Sequence, residues 1–150
     1  MKQSDEIIIK NIKSQNKYDA IDEMFEKLSS LPEIKSIKDI RKSVIEREHI
    51  QSTGLGNGIA VAHGKTNKAR KFLIALGISQ DGIEYNSIDK KPVHFIFLIS
   101  HPPQMQDIYI NVLSAIARIV KRYILNNKED NFKNIEDNIC SSFKKLFEYV

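Results

Sequence analysis

His63 is the residue around which a reaction can be built. It follows the apolar run Ile59, Ala60, Val61, Ala62 and precedes Gly64, and three more glycines, Gly54, Gly56 and Gly58, lie just upstream. An accessible neutral imidazole is a good nucleophile near neutral pH: one nitrogen reacts while a hydrogen bond fixes the other. Glycines let a backbone approach another group closely, and their amides can form an anion-binding nest. The end of a strand is also where open α/β sheets build their sites. The pattern therefore suits a histidine that accepts an anion. It also suits a plainer role, a loop histidine that caps the strand, and pattern alone favours that role.

Other chemistries fail on spacing. Gly64-Lys65-Thr66 copies the tail of a phosphate-binding loop, but G-x-x-x-x-G-K-[ST] needs a glycine where Ile59 stands. A dinucleotide fingerprint begun at Gly54 and Gly56 needs a glycine at that same position. No H-E-x-x-H, paired-cysteine or EF-hand pattern occurs, so neither a metal nor a cofactor is expected. The single cysteine, Cys140, excludes an internal disulfide and fits a reducing compartment; on a helical stripe it reads as a small buried residue.

The elements that must position His63 follow from periodicity. Residues 6–10 read as a short apolar first strand. Tyr18, Ile21, Phe25 and Leu28 mark one face of a helix that Leu31-Pro32 closes. Ser36 with Asp39 resembles a capping box, and Ile37, Ile40, Val44 and Ile45 give a second helix its buried stripe. Residues 59–62 are a strand ending at His63-Gly64, and residues 71–78 and 92–99 have strand length and apolarity. A third helical stripe runs from Ile108 or Tyr109 through Val112 and Ile116 to Tyr123, and a C-terminal helix carries Ile135, Ile139, Phe143 and Leu146. Apolar strands mixed with helices predict an α/β fold: a mixed β-sheet flanked by helices, a single-domain α/β sandwich over residues 1–150. The 23 basic and 19 acidic residues, net charge +4, are interspersed, so no nucleic-acid-binding arm is expected. No apolar stretch approaches the roughly 18 residues of a membrane span, and no signal-peptide core is seen, so a cytoplasmic domain without membrane insertion is expected.

Residues 46–65, EREHIQSTGLGNGIAVAHGK, resemble the signature R-E-x-x-x-S-T-G-x-G-x-G-x-A-x-P-H-G of fructose/mannitol-type enzyme IIA domains of the sugar phosphotransferase system, including the nitrogen-regulatory branch. The likeness continues at residues 82–97, GIEYNSIDKKPVHFIF, and at residues 113–118, LSAIAR, which are similar to the family's L-A-x-L-A-R. The resemblance implies that His63 is the phosphorylated histidine. It implies that Arg47, sixteen residues earlier, stabilises the phosphoryl group, and that Ser52, Thr53, Gly54 and Asn57 are candidates for a phosphoryl cradle. The same residue types also serve ordinary turns, and the two roles are compatible.

The chain departs from the family twice. Ala62 stands where the family usually has proline, and Tyr109 where it has a second histidine. A tyrosine hydroxyl can donate to a phosphoryl oxygen but cannot become cationic, so Tyr109 is a candidate for phosphoryl support. His101 could compensate only if the Pro102-Pro103 loop folds inward. Lys65, Lys68, Arg70 and Lys71 form a basic cluster suited to steering an anionic partner, while His49 and His94 read as structural or surface residues. The implied activity is that of a phosphotransferase: phosphoryl transfer from an HPr-type donor to His63 and on to a IIB domain. The alternative is a regulatory, nitrogen-type module that acts by phosphorylation-dependent binding to a target protein.

Overall fold

The structure is a computed structural model and describes residues 7–150. The chain runs β1 (Ile8–Ile9), α1 (Lys17–Leu28), α2 (Ile37–Ile50), β2 (Gly54–Gly56), β3 (Ile59–Lys65), β4 (Leu73–Ile83), β5 (Val93–His101), α3 (Gln106–Val120) and α4 (Phe132–Lys145). The strands form one sheet in the order β1-β4-β5-β3-β2. β1 and β4 pair in parallel, as do β3 and β5, while β4–β5 and β2–β3 are antiparallel. This is the mixed sheet flanked by helices that the sequence predicts.

Side chains alternate between the faces of a strand, and here the two faces differ in bulk. On β3 one face carries Ala60, Ala62 and Gly64, small enough for α2 to lie close: a Cβ at Gly64 would fall 2.8 Å from the Val44 amide nitrogen and would collide with the Ser43 hydroxyl. On β4 the same face carries Gly77, whose added Cβ would meet Met24 of α1 at 2.7 Å. α1 and α2 therefore cover this side. The opposite face presents Phe97 to Phe143 of α4 and the β5 end, His101, to Tyr109 of α3. Near-continuous apolar runs in β4 and β5 are buried on both faces, as a sheet between helical layers requires.

The boundaries differ from the periodicity in ways that matter for the site. β3 does not stop at His63-Gly64: it runs on to Lys65, paired with His101, because β5 also extends two residues past its apolar run. His63 is thus held inside a parallel ladder, opposite Ile99, rather than in a loop. The capping box is absent. Ser36 sits at φ 58° with no side-chain cap bond to α2, whereas a capping side chain works from extended backbone. α1 and α4 are capped in that way, by Asn16 and Asn131. Of the first predicted strand, Glu6 lies outside the described residues.

Candidate functional site

His63 lies on the bulky face of β3, half-buried. Its Nδ1 is 2.9 Å from the carbonyl oxygen of Val61. A carbonyl can only accept, so Nδ1 carries the proton and donates, and Nε2 is left with its lone pair. Burial pushes the His63 pKa below the usual histidine range; the charges of Arg47 and His101 add to this, against the Val61 hydrogen bond and the Glu48 carboxylate. The imidazole is therefore neutral at neutral pH, with one fixed tautomer and one nucleophilic nitrogen.

β2 pairs with β3 only at Ile59 and Ala60, and the Val61 amide still donates to the Thr53 carbonyl. Beyond that point the outer edge of β3 is not covered by β2. Backbone groups alternate sides along a strand, so the N–H of His63 faces the same edge as that of Val61, while the Thr66 N–H turns to His101 on β5. Into this gap opens a cleft of about 350 Å³ lined by Ser43, Glu46, Arg47, Ile50, His63, Gly64, Lys65, His101, Gln106 and Tyr109. The last turn of α2, the end of β3, the end of β5 and the first turn of α3 meet there.

The structure thus brings Arg47, His63 and Tyr109 together. Arg47 is half-buried, and its Nη1 donates to the Gln51 carbonyl at 2.7 Å, which fixes the guanidinium at the helix end. Tyr109 presents its ring to His63 with centroids 5.6 Å apart. Burial raises the Tyr109 pKa, so the hydroxyl keeps its proton and can donate. No inward fold of the Pro102-Pro103 loop is needed, since Pro103 is exposed: His101 is the last residue of β5, is buried, lines the cleft and stacks on Tyr109 with centroids 5.0 Å apart.

The four cradle candidates do not line this cleft. Ser52 Oγ donates to the Tyr85 carbonyl at 2.9 Å and accepts from the Gly54 N–H. Thr53 is buried and bonded to Glu48 through both its amide and its hydroxyl. Gly54 packs against Ser87, where a Cβ would clash, and Asn57 sits at φ 57° in the β2–β3 turn with its amide on Asp89. These residues build the turn that sets β3 in place. The basic cluster also divides: Lys65 belongs to the His63 cleft, whereas Arg70 and Lys71 line a separate apolar cleft with Phe72. His94 Nδ1 is bound to the Ser79 carbonyl, and His49 stacks on Tyr18.

Glu48 is the residue that the motif reading passed over. Its side chain is fully buried and accepts from Lys17 Nζ at 3.3 Å, the Thr53 amide at 2.7 Å, the Thr53 hydroxyl and the Tyr85 hydroxyl at 3.2 Å. Burial, together with this carboxylate, keeps the Tyr85 phenol far above its usual range. The signal was present in the sequence: Glu48 continues the stripe Ile40, Val44 at a spacing of four. A carboxylate on an apolar stripe has to find partners.

A family model described as "Phosphoenolpyruvate-dependent sugar phosphotransferase system, EIIA 2" matches residues 2–145. The chain is 33% identical over 112 residues to the PTS system fructose-specific EIIABC component of Bacillus subtilis, covering 75% of this chain but only 18% of that longer protein. Its fold is that of nitrogen regulatory protein IIA-Ntr from Neisseria meningitidis, with TM-score 0.73 and 23% identity over 93% of this chain and 94% of that one. It is equally that of enzyme IIA mannitol from Escherichia coli, solved in complex with phosphorylated enzyme IIB mannitol, with TM-score 0.71 and 17% identity over 93% and 95% of the two chains.

Proposed function

Because the chain belongs to the phosphoenolpyruvate-dependent sugar phosphotransferase system EIIA 2 family, we propose that it is a cytoplasmic phosphocarrier whose phosphoryl acceptor is His63. The observation that carries this reading is the Nδ1–Val61 hydrogen bond, which leaves Nε2 as a free lone pair on a neutral ring in the mouth of a cleft.

The reaction then needs little covalent work from the protein beyond the nucleophile. The Nε2 lone pair attacks the phosphorus of a phosphohistidine on an HPr-type donor. The new N–P bond forms in line as the old one breaks, and its electron pair returns to the donor imidazole. With Nδ1 still protonated on Val61, the phosphorylated ring carries positive charge and is a good leaving group for the onward step. Charge on the phosphoryl oxygens is met by Arg47, whose planar fork suits paired oxygens, by the Tyr109 hydroxyl, and by the β3-edge N–H of His63. Ser52, Thr53, Gly54 and Asn57 contribute by holding the loop before β3. Neither ATP nor a metal enters these steps.

The acceptor would be a IIB domain, a reading supported by the fold shared with a IIA protein solved against phosphorylated IIB. The likeness to IIA-Ntr supports the second reading, in which the phosphorylation state governs binding to a regulated protein. The deciding experiment is incubation with labelled phosphoenolpyruvate, enzyme I and HPr. Wild type should take up label in an acid-labile, base-stable linkage and His63→Ala should take up none. Undiminished label in His63→Ala would overturn the assignment.

A further inference from the structure

Tyr109 is in ring contact with two imidazoles. Its centroid lies 5.6 Å from that of His63 and 5.0 Å from that of His101. The ring of Phe72 in turn stacks on His101 at 5.4 Å and within 8° of parallel. Four rings therefore run in a row from the entry to β4, through the end of β5 and the first turn of α3, to the reactive histidine on β3.

The members of this row are not equally fixed. His101 is only 2% exposed, and its Nδ1 donates to the Pro102 carbonyl at 2.7 Å, which sets the plane of the ring. Tyr109 is half-buried, and its hydroxyl makes no hydrogen bond among the described residues. Its ring meets His63 at a tilt of 38° and stacks on His101 at 30°. Offset aromatic contacts at these separations are directional, so a rigid ring on one side restricts the orientation of the other.

We infer that His101 is a positioning residue for phosphoryl transfer: bonded to Pro102 and backed by Phe72, it holds the Tyr109 ring so that the hydroxyl meets the phosphoryl group on His63. The inference rests on the phosphocarrier reading above. His101 acts through Tyr109, so the two residues form one device and their effects are not additive.

A four-protein cycle tests it: wild type, Tyr109→Phe, His101→Leu and the double variant, each assayed for single-turnover transfer from phosphorylated HPr. Leucine keeps the buried site filled and removes the planar face. His101→Leu should slow transfer by about two- to tenfold, the range an aromatic contact supports. Tyr109→Phe should slow transfer in the wild-type background and change nothing in the His101→Leu background. A merely structural role would lower the melting temperature and leave the Tyr109→Phe factor the same in both backgrounds, and that result would overturn the inference. So would wild-type transfer in His101→Leu. If His101→Leu does not fold, Phe72→Leu takes its place in the cycle with a smaller effect of the same sign, since Phe72 is the less buried ring. The two proposals separate cleanly. Label on His63 with an additive cycle removes the role of His101 alone, and no label on His63 removes both.

Discussion

Arg47 and Glu48 are adjacent in sequence and should fail in opposite ways. Glu48→Gln removes a charge that has no exposure and four donors around it. An amide offers one acceptor oxygen and turns an NH2 toward groups that also donate, so at least one buried donor loses its partner. Breaking a buried pair from one side costs about 3–5 kcal/mol. For a chain of this size each kcal/mol lowers the melting temperature by about 2–4 °C, so a fall of roughly 6–20 °C is expected. Arg47→Ala gives up one hydrogen bond, to the Gln51 carbonyl at the partly exposed end of α2. That is worth about 1 kcal/mol, a shift of a few degrees. In transfer the order reverses. Arg47 would supply one charge-assisted contact to the phosphoryl group, about 1.5–3 kcal/mol, or roughly ten- to a hundredfold in rate. Arg47→Lys should recover only part of this, because the fork is lost. The assays are thermal unfolding and single-turnover transfer at a temperature where all variants are folded. A folded Arg47→Ala that transfers at the wild-type rate, or a Glu48→Gln that melts with wild type, would refute the reasoning.

Two further outcomes follow from the geometry. Gly64→Ala sets a Cβ against the Val44 backbone and should push α2 away from β3, destabilising the fold by about 1–3 kcal/mol and slowing transfer as Arg47 moves with its helix; wild-type behaviour in both assays would show that the helix has room to yield. The depressed His63 pKa means that the unfolded chain binds a proton first as pH falls, so this histidine's contribution to stability is complete above the ordinary histidine pKa of about 6.5 and is lost as pH drops toward the lower folded value. His63→Ala should therefore flatten the stability profile in that window, and an unchanged slope would show that the ring is not buried neutral.

What the sequence made legible was what repeats or what a motif fixes. The stripes of all four helices and the apolar runs of β3, β4 and β5 are local patterns, and they specified the layers. His63, Arg47 and Tyr109 were legible because motif positions carry them, and they do share one cleft. The cradle residues looked alike in sequence, all small and turn-forming, yet whether a hydroxyl faces a ligand or a buried carboxylate depends on the partner strand. Thr53 illustrates this: its bond is to Glu48, and both are held against Tyr85, which lies 32 residues further along the chain. Pair contacts between distant segments leave no periodic trace.

His101 shows the same limit from the other side. Eight residues of sequence separate it from Tyr109, and two prolines stand at the start of that interval. Nothing local says that the chain returns. The return is dictated by the ladder: β5 runs parallel to β3, so the residue two beyond Ile99 must lie beside the residue two beyond His63, on the same face. Once α3 packs on that face, its first turn meets both strand ends at once. The site is thus a consequence of register. Four strand and helix ends converge at the point where β2 stops, leaving an uncovered stretch of the β3 edge, an anchored imidazole and a guanidinium within one cleft. A one-residue slip between β3 and β5 would send His101 to the α2 face and dismantle the ring row without changing a single residue in the motif.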